Sequence, residues 1–379
     1  MFKFLITQWV QGFCLFGMQI DSEINTTLYE TVWGKKALKE SYKSAGVYDG
    51  MSEIITDKEK EIPTEGKPII VRRNFVTKAG YQEYVPFVGK ITGEGTSGDD
   101  TLEGNEQESH TYAFLVAIDQ KRQAVREKGR MDAQKSSVKL FKFFRPQLSD
   151  WQKDYRNKQI TRKLAGATTK TWSNTPTAAT TNRVLYGGTG TSQGDIDSAD
   201  KFDLTLVAKS TTLARNEYIA GTDSQNVPPL GGIDFGGPNR MWLDLLHPAV
   251  YFDLLETARV QQMLRESGAY QKNNPLMQGG DIVYLQTILR ACEYLREADV
   301  GHFTDWGTGS DQPGARNLFL GSCACAVAES NNPRMVDDGF DYKNKRGVAI
   351  DAIWGVQKFL YNGEDVGVIA QDTYRTSGI

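Results

Sequence analysis

The sequence predicts an α+β fold with one dominant helix and several separated sheets. Phe141, Phe144, Leu148, Trp151 and Tyr155 fall at steps of three and four, an apolar seam with Lys and Arg opposite, and predict a long helix over residues 132–165. PIIVRRNF, YVPFVGKI and HTYAFLVAI are β-favouring runs parted by glycine-containing turns. The C-terminal GVAIDAIWGVQKFLYNGEDVGVIAQDTY is two further β runs joined near Asn362-Gly363, the preferred dipeptide of a tight hairpin.

A chain of 379 residues, 39% hydrophobic and 24% charged, is globular material long enough for two or more lobes. Its net charge of −3 argues against dedicated sequence-specific nucleic-acid binding, which usually shows a basic domain. The charge is strongly segregated. Residues 121–163 carry fourteen Lys/Arg against four acids, Glu127, Asp132, Asp150 and Asp154. Just upstream, the loop ITGEGTSGDDTLEGNEQES carries Glu94, Asp99, Asp100, Glu103, Glu106 and Glu108 and no Lys or Arg. Charge partitioned this way gives surfaces complementary to other copies of the same chain.

Taken in order, the first eighteen residues, MFKFLITQWVQGFCLFGM, are apolar but interrupted by Thr7, Gln8 and Gln11. They lack a small-x-small cleavage site and are marginal as a membrane span. Met18 opens a polar stretch that reads as a natural start, with an arm docking on a neighbour or a signal as the other readings. Asn25-Thr26-Thr27 offers N-cap chemistry to a helix striped by Leu28, Val32 and Trp33 and stopped at Gly46. TDKEKEIPTEGKP is a polar connector. YVPFVGKI and HTYAFLVAI propose a long hairpin tipped by residues 93–104; an isolated hairpin is marginal in water, so it must rest on something else. Pro146 is expected to kink or divide the long helix near Arg145. Residues 167–200, rich in Thr, Ser and Gly, read as a loop-dominated insertion. FDLTLVAKSTTLAR reads as a helix, and MWLDLLHPAVYFDLLETARVQQML as a strand broken at His247-Pro248 and continued as a helix. GDIVYLQTILRACEYL and RNLFLGSCACAVAES supply short strands.

Catalytic chemistry is hard to find. GGTGTSQG lacks the Lys-Ser/Thr of a phosphate loop and misses the dinucleotide spacing. His110, His247 and His302 are isolated, and His247 before Pro248 reads as a packed turn residue. Asp337-Asp338-Gly339 with Asp341 lacks the alternating oxygens of a calcium loop and reads as a turn. Cys14, Cys292, Cys323 and Cys325 do not make a disulfide framework; Cys323 and Cys325, two apart, would share one face of a buried strand in a reducing compartment. No cofactor or metal site and no catalytic residue is expected.

The ordered series GKITGEGTSGDDTLEG, FLVAIDQKRQAVREKGRMDAQ, a long helix ending in KLAG, LDLLHPAVYFDLLE, RNLFLGSCACAVA and DYKNKRGVAIDAIWGVQKFLYNGEDVGVIAQDT resembles the major capsid proteins of tailed phages related to coliphage N-four, over about residues 28–373. The apolar first seventeen residues, Pro146 and the Thr/Gly-rich middle depart from that pattern. The resemblance implies a Hong Kong 97-like major capsid fold: an N-terminal arm (1–62), an extension loop (63–118), a peripheral domain with its spine helix (119–166), an axial domain (167–347) and a C-terminal β hairpin (348–379) returning to the peripheral or axial sheet. It implies hexamers and pentamers in an icosahedral head around non-specifically held double-stranded DNA, assembled in the host cytoplasm. The partners would be many copies of itself, a portal protein and scaffold or decoration proteins, with no membrane. Intersubunit candidates are Trp33, Glu94, Asp99, Asp100, Glu103, Lys139, Lys142 and Lys153, the acidic loop lying against the basic spine or another cationic surface of a neighbour. The alternatives are the shell of a cytosolic protein nanocompartment, a secreted binding protein or an enzyme.

Overall fold

The computed structural model describes residues 48, 51–55, 66–73, 80–88, 95–106, 111–135, 141–169, 172–216, 218–219, 226–227, 229–234, 241–267, 277–278, 281–330, 334–361 and 363–376. In chain order, β1 (Ser52–Ile55) and β2 (Ile69–Arg72) precede β3 (Gln82–Val88) and β4 (Thr111–Ala117). β5 (Asp119–Arg126) leads to the short helix α1 (Arg130–Lys135) and the long α2 (Phe141–Ala165). β6 (Val184–Tyr186), α3 (Leu204–Arg215), β7 (Tyr218–Ile219) and β8 (Asn226–Val227) follow. β9 (Trp242–Leu246) runs into α4 (Pro248–Glu256) and α5 (Ala258–Ser267). Then come β10 (Met277–Gln278), β11 (Asp281–Tyr284), β12 (Thr287–Ala291), β13 (His302–Trp306), β14 (Gln312–Leu320) and β15 (Cys325–Glu329). The series ends with β16 (Arg334–Phe340), β17 (Lys345–Lys358), β18 (Leu360–Tyr361), β19 (Glu364–Asp365) and β20 (Val368–Tyr374).

These elements divide between two compact units. The first contains Gln120–Tyr155 and Pro333–Ala352. Here the early part of β17 pairs antiparallel with β16, from Lys345 opposite Phe340 to Asp351 opposite Arg334, and β5 also joins β17. Phe144 and Leu148 of α2 are buried against Val348 and Ile350, with Val125 and Trp151 packed on the same cluster. Trp151 stacks on Tyr155 at 5.4 Å between ring centroids. Phe144, Leu148 and Trp151 of the seam expected from the 3.6-residue spacing therefore supply the helix side of this unit's core.

The second unit contains Val47–Asp119, Arg156–Asn332 and Ile353–Ile379. Its larger sheet has the order β10-β11-β12-β9-β14-β20-β6, with β13 also on β14. All five residues of β9 are buried, as expected of a strand covered on both faces. α3 starts where the Asp203 side chain accepts from Leu204 N, and it buries Leu204, Leu206, Val207 and Ala214. His247 caps α4 through Nδ1, which accepts from Ala249 N at 3.1 Å, and Pro248 takes the first helical position, where its missing N–H is no loss. β2 lies between β1 and β15, parallel to both, and β15 pairs antiparallel with the last part of β17.

Several local expectations are corrected. Pro146 does not divide the helix: α2 runs without a break from Phe141 to Ala165. Without an N–H, Pro146 forfeits one i→i−4 bond, to Lys142, and the rest of the helix carries on past it. The helical stretch begins instead as α1, and residues 136–140 are outside the described residues. Cys323 and Cys325 do not share a strand face. Cys323 lies in the turn before β15 with φ of 56°, its N–H donating to Lys67 O at 3.0 Å. Asp337, Asp338 and Gly339 are strand, not turn; the reversal comes at Asp341, Tyr342 and Lys343, all with positive φ, closed by Asn344 N donating to Asp341 O. The turn at Gly363 forms, but holds only two residue pairs, Leu360 with Asp365 and Tyr361 with Glu364. The long runs on either side part: β17 belongs with β15 and β16, and β20 with β14 and β6. The predicted helix after Asn25 and the Met18 start lie outside the described residues.

Candidate assembly surfaces

The hairpin forms from the two β-favouring runs that proposed it. β3 and β4 pair from Gln82 opposite Ala117 to Val88 opposite Thr111. Its base rests on its own unit: Val85 and Val116 are buried with Ile70, Ala326, Ala328 and Phe359, and Phe114 stacks on Phe359 at 5.1 Å. Arg72 and Glu83, both buried, lie 3.9 Å apart across β2 and β3. Asn174 clamps the end of β4, accepting from Ala117 N at 2.8 Å while its amide donates to Ala117 O at 2.9 Å and Val356 O at 3.2 Å. Gly355 is required where Ala117 O crosses it, since a Cβ there would stand 1.9 Å from that oxygen.

At the other end, residues 95–106 form two self-closed turns, with Asp100 N donating to Ser97 O and Asn105 N to Leu102 O at 3.0 Å. Gly95, Gly98 and Gly104 take left-handed φ of 77°, 62° and 92°. Asp99, Asp100 and Glu103 are brought together here, exposed, and make no salt bridge among the described residues. Leu102 stands 62% exposed in the same loop. A rigid base thus carries a polar, acidic tip whose carboxylates are not neutralised within the described chain.

The basic stretch is more engaged than its sequence suggests. Arg145 pairs with Asp337. Glu329 holds two guanidinium groups, Arg156 at 2.5 Å and Arg73 at 2.9 Å. Arg162 grips Glu297, with Nε at 2.8 Å. Lys163, buried, donates to the Asn174 carbonyl, and burial lowers its ammonium to about 8. Lys121 lies over the Tyr155 ring at 5.0 Å. Lys153 remains exposed on α2, and Lys142 lies in its first turn. Trp33, Glu94 and Lys139 are outside the described residues. Lys153 belongs to the first unit and the acidic loop to the second.

Asn174 and Glu329 were not visible as positioning residues in the sequence. Neither lies in a motif, and each acts through partners more than fifty positions away. Among the described residues no group of three or more His, Cys, Asp or Glu could hold a metal ion, and no helix is long and apolar enough to cross a membrane.

A family model described as phage capsid protein matches residues 28–376. The chain is 26% identical over 323 residues to a major capsid protein of Pseudomonas phage KPP25, covering 76% of this chain and 82% of that one. Its fold is similar to the capsid of Ralstonia phage GP4, with a TM-score of 0.74 at 24% identity over 89% of this chain and 93% of the other. It is also similar to the Cyanophage Pam1 capsid asymmetric unit, with a TM-score of 0.69 at 18% identity over 87% and 92%. The α+β architecture built from the hairpin, the long helix and the separated sheets is thus the shell fold of those capsids, and the chain belongs to the phage capsid protein family.

Proposed function

We propose that this chain is the major shell subunit of a phage head, structural and without catalytic activity, closing as hexamers and pentamers around double-stranded DNA. Residues 1–62 act as the arm, 63–118 as the extension loop, 119–166 as the peripheral domain with its spine, 167–347 as the axial domain, and 348–379 as the returning C-terminal segment. The observation that carries the reading is the anchored hairpin ending in exposed Asp99, Asp100 and Glu103, with no cation opposite them among the described residues. Such a tip is suited to a cationic surface on another copy, contacting it heterologously as a closed shell requires. Contacts of this type set register and association rate more than net stability. Lys139, Lys142 and Lys153 would supply that surface, and Trp33 and Glu94 would add to the contact. DNA contact inside the head would be weak and sequence-independent. Assembly would take place in the host cytoplasm with a portal and scaffold or decoration proteins.

Electron microscopy of the concentrated full-length protein tests the reading: closed shells are expected, and solitary monomers would overturn it. The combined change Lys139→Glu, Lys142→Glu and Lys153→Glu tests the charge pairing. It is expected to leave the subunit folded by circular dichroism while sharply lowering particle yield. Particles at wild-type yield would refute the pairing and leave the shell reading intact.

A further inference from the structure

Arg375 follows directly on β20 and is buried, its backbone N–H donating to Pro313 O at 3.1 Å. Its guanidinium Nη2 lies 2.9 Å from Nε2 of His302, the first residue of β13. A guanidinium can only donate, so that ring nitrogen must present a lone pair: His302 is neutral, with its proton on Nδ1. The His302 ring in turn lies 5.6 Å, centroid to centroid, from the fully buried ring of His247. His247 is held to one state as well, because its Nδ1 accepts from Ala249 N to cap α4. Its proton is therefore on Nε2, which has no acceptor among the described residues. Thr376 is fastened to that same helix, its N–H donating to Asp253 Oδ2 at 2.9 Å and its hydroxyl to Oδ1 at 2.5 Å. Two clasps thus hold the end of β20. The one on β13 needs a neutral imidazole directly, and the one on α4 needs it through the cap.

We propose that His302 and His247 work as a proton-operated latch on the end of β20: neutral, they fasten Arg375 to β13 and cap the helix that grips Thr376; protonated, they release residues 375–376. A second proton on His302 turns the acceptor into a donor and sets an imidazolium against the guanidinium. A second proton on His247 displaces the Ala249 N–H. The carboxylates on the surrounding elements are engaged or exposed. On α4, Asp253 is taken by Thr376 and by Lys201 at 3.6 Å, and Glu256 is exposed. In the segment before β13, Glu297 is paired with Arg162, Asp299 accepts from Thr169, and Glu293 is exposed. Asp305 of β13 is exposed, Asp372 of β20 is held by Arg316, and the neighbour of Asp244 on β9 is the Gln371 amide. The charges acting on both rings are cationic, those of Arg375 and Arg296.

Burial first, and then the Arg375 and Arg296 charges, hold His302 below its ordinary value of about 6.5. Each ring takes its second proton more readily once the latch is open. The latch is therefore fully closed above about pH 6.5 and weakens as pH falls, its closing constant dropping up to about tenfold per pH unit for each ring. Hydrogen exchange of the full-length protein, read by mass spectrometry and corrected for the intrinsic effect of pH, tests this. Protection of a peptide carrying residues 374–376 is expected to fall about three- to tenfold from about pH 7 to about pH 5, above the ordinary aspartate value of about 3.9. Protection of a peptide from β15 is expected to hold. In His302→Gln, whose side-chain oxygen accepts from Arg375 at either pH, most of the fall is expected to vanish. Nitrogen NMR of histidine-labelled wild type at about pH 7 is expected to show His302 protonated at Nδ1 and bare at Nε2. Its titration is expected to share a midpoint with the loss of protection. Wild-type protection that holds to about pH 5, a proton on His302 Nε2 at about pH 7, or an undiminished fall in folded His302→Gln would overturn the proposal. If that variant does not fold, the wild-type NMR titration decides alone, and midpoints that differ overturn it.

Discussion

Lys358 Nζ and Asp365 Oδ1 lie 2.7 Å apart, each side chain only 1% exposed. The ammonium also donates to Ala178 O at 3.1 Å, and the carboxylate accepts from Thr180 N at 3.1 Å. The pair therefore joins β17, β19 and the loop-rich stretch before β6. Removing one partner strands a charge in the core. Lys358→Met is expected to destabilise the subunit by about 3–5 kcal/mol, and the double change Lys358→Met with Asp365→Leu to recover most of that. Urea midpoints of the three proteins check it; additive losses would show that the two groups do not act as a pair.

Leu148 is the centre of the first unit's apolar seam, buried against Val348 and Ile350. Leu148→Ala leaves a cavity that a helix packed on a sheet fills only in part. The expected cost is about 2–5 kcal/mol in urea unfolding, whereas Lys153→Ala on the exposed face of the same helix is expected to change stability by less than about 0.5 kcal/mol.

His247 predicts an acid limit. Burial chiefly, and then the charges of His302, Arg375 and Arg296, lower it to about 4. Its Nδ1 must stay unprotonated to accept from Ala249 N. Because the folded value lies below the ordinary value of about 6.5, this stabilisation is complete above that pH and is lost as pH falls toward 4. His247→Asn, which keeps a cap acceptor without a titrating group, is expected to shrink the difference in thermal midpoint between pH 7 and pH 5 relative to wild type.

The thiols of Cys292, Cys323 and Cys325 are pushed up to about 11, 11 and 12 by burial, so the reactive thiolate is scarce at neutral pH. Native protein treated with iodoacetamide is expected to show these three unmodified in peptide mass mapping, and all three alkylated once urea is added. Modification of Cys325 in the folded subunit would contradict the burial described.

Periodicity made much of this molecule legible. The α2 seam, the β3–β4 hairpin, α3 and the strand-His-Pro-helix at β9 and α4 stand where their residue spacing places them. These are local signals, set by which side chains share a face. What escaped is decided at a distance. Gly355 is glycine because Ala117 O crosses it, and Asn174 acts by gripping Ala117 and Val356. The basic residues of α2 looked like a solvated or intersubunit face because their partners Glu297, Glu329 and Asp337 come from strands and turns far along the chain. Pro146 misled on one point: the helix gives up the bond to Lys142 and still runs on undivided.

The parallel pairing of β2 with β15 sets a clock on biosynthesis. Ile69 leaves the ribosome 256 positions ahead of its ladder partner Cys325. At ~5–20 residues per second, the earlier strand waits roughly 13–50 s for the later one. Through that interval β2 has β1 and the hairpin but lacks its β15 neighbour, and Ile70 lacks the cover of Ala326, Ala328 and Phe359, which makes the nascent subunit a natural client for chaperones and its yield sensitive to translation speed.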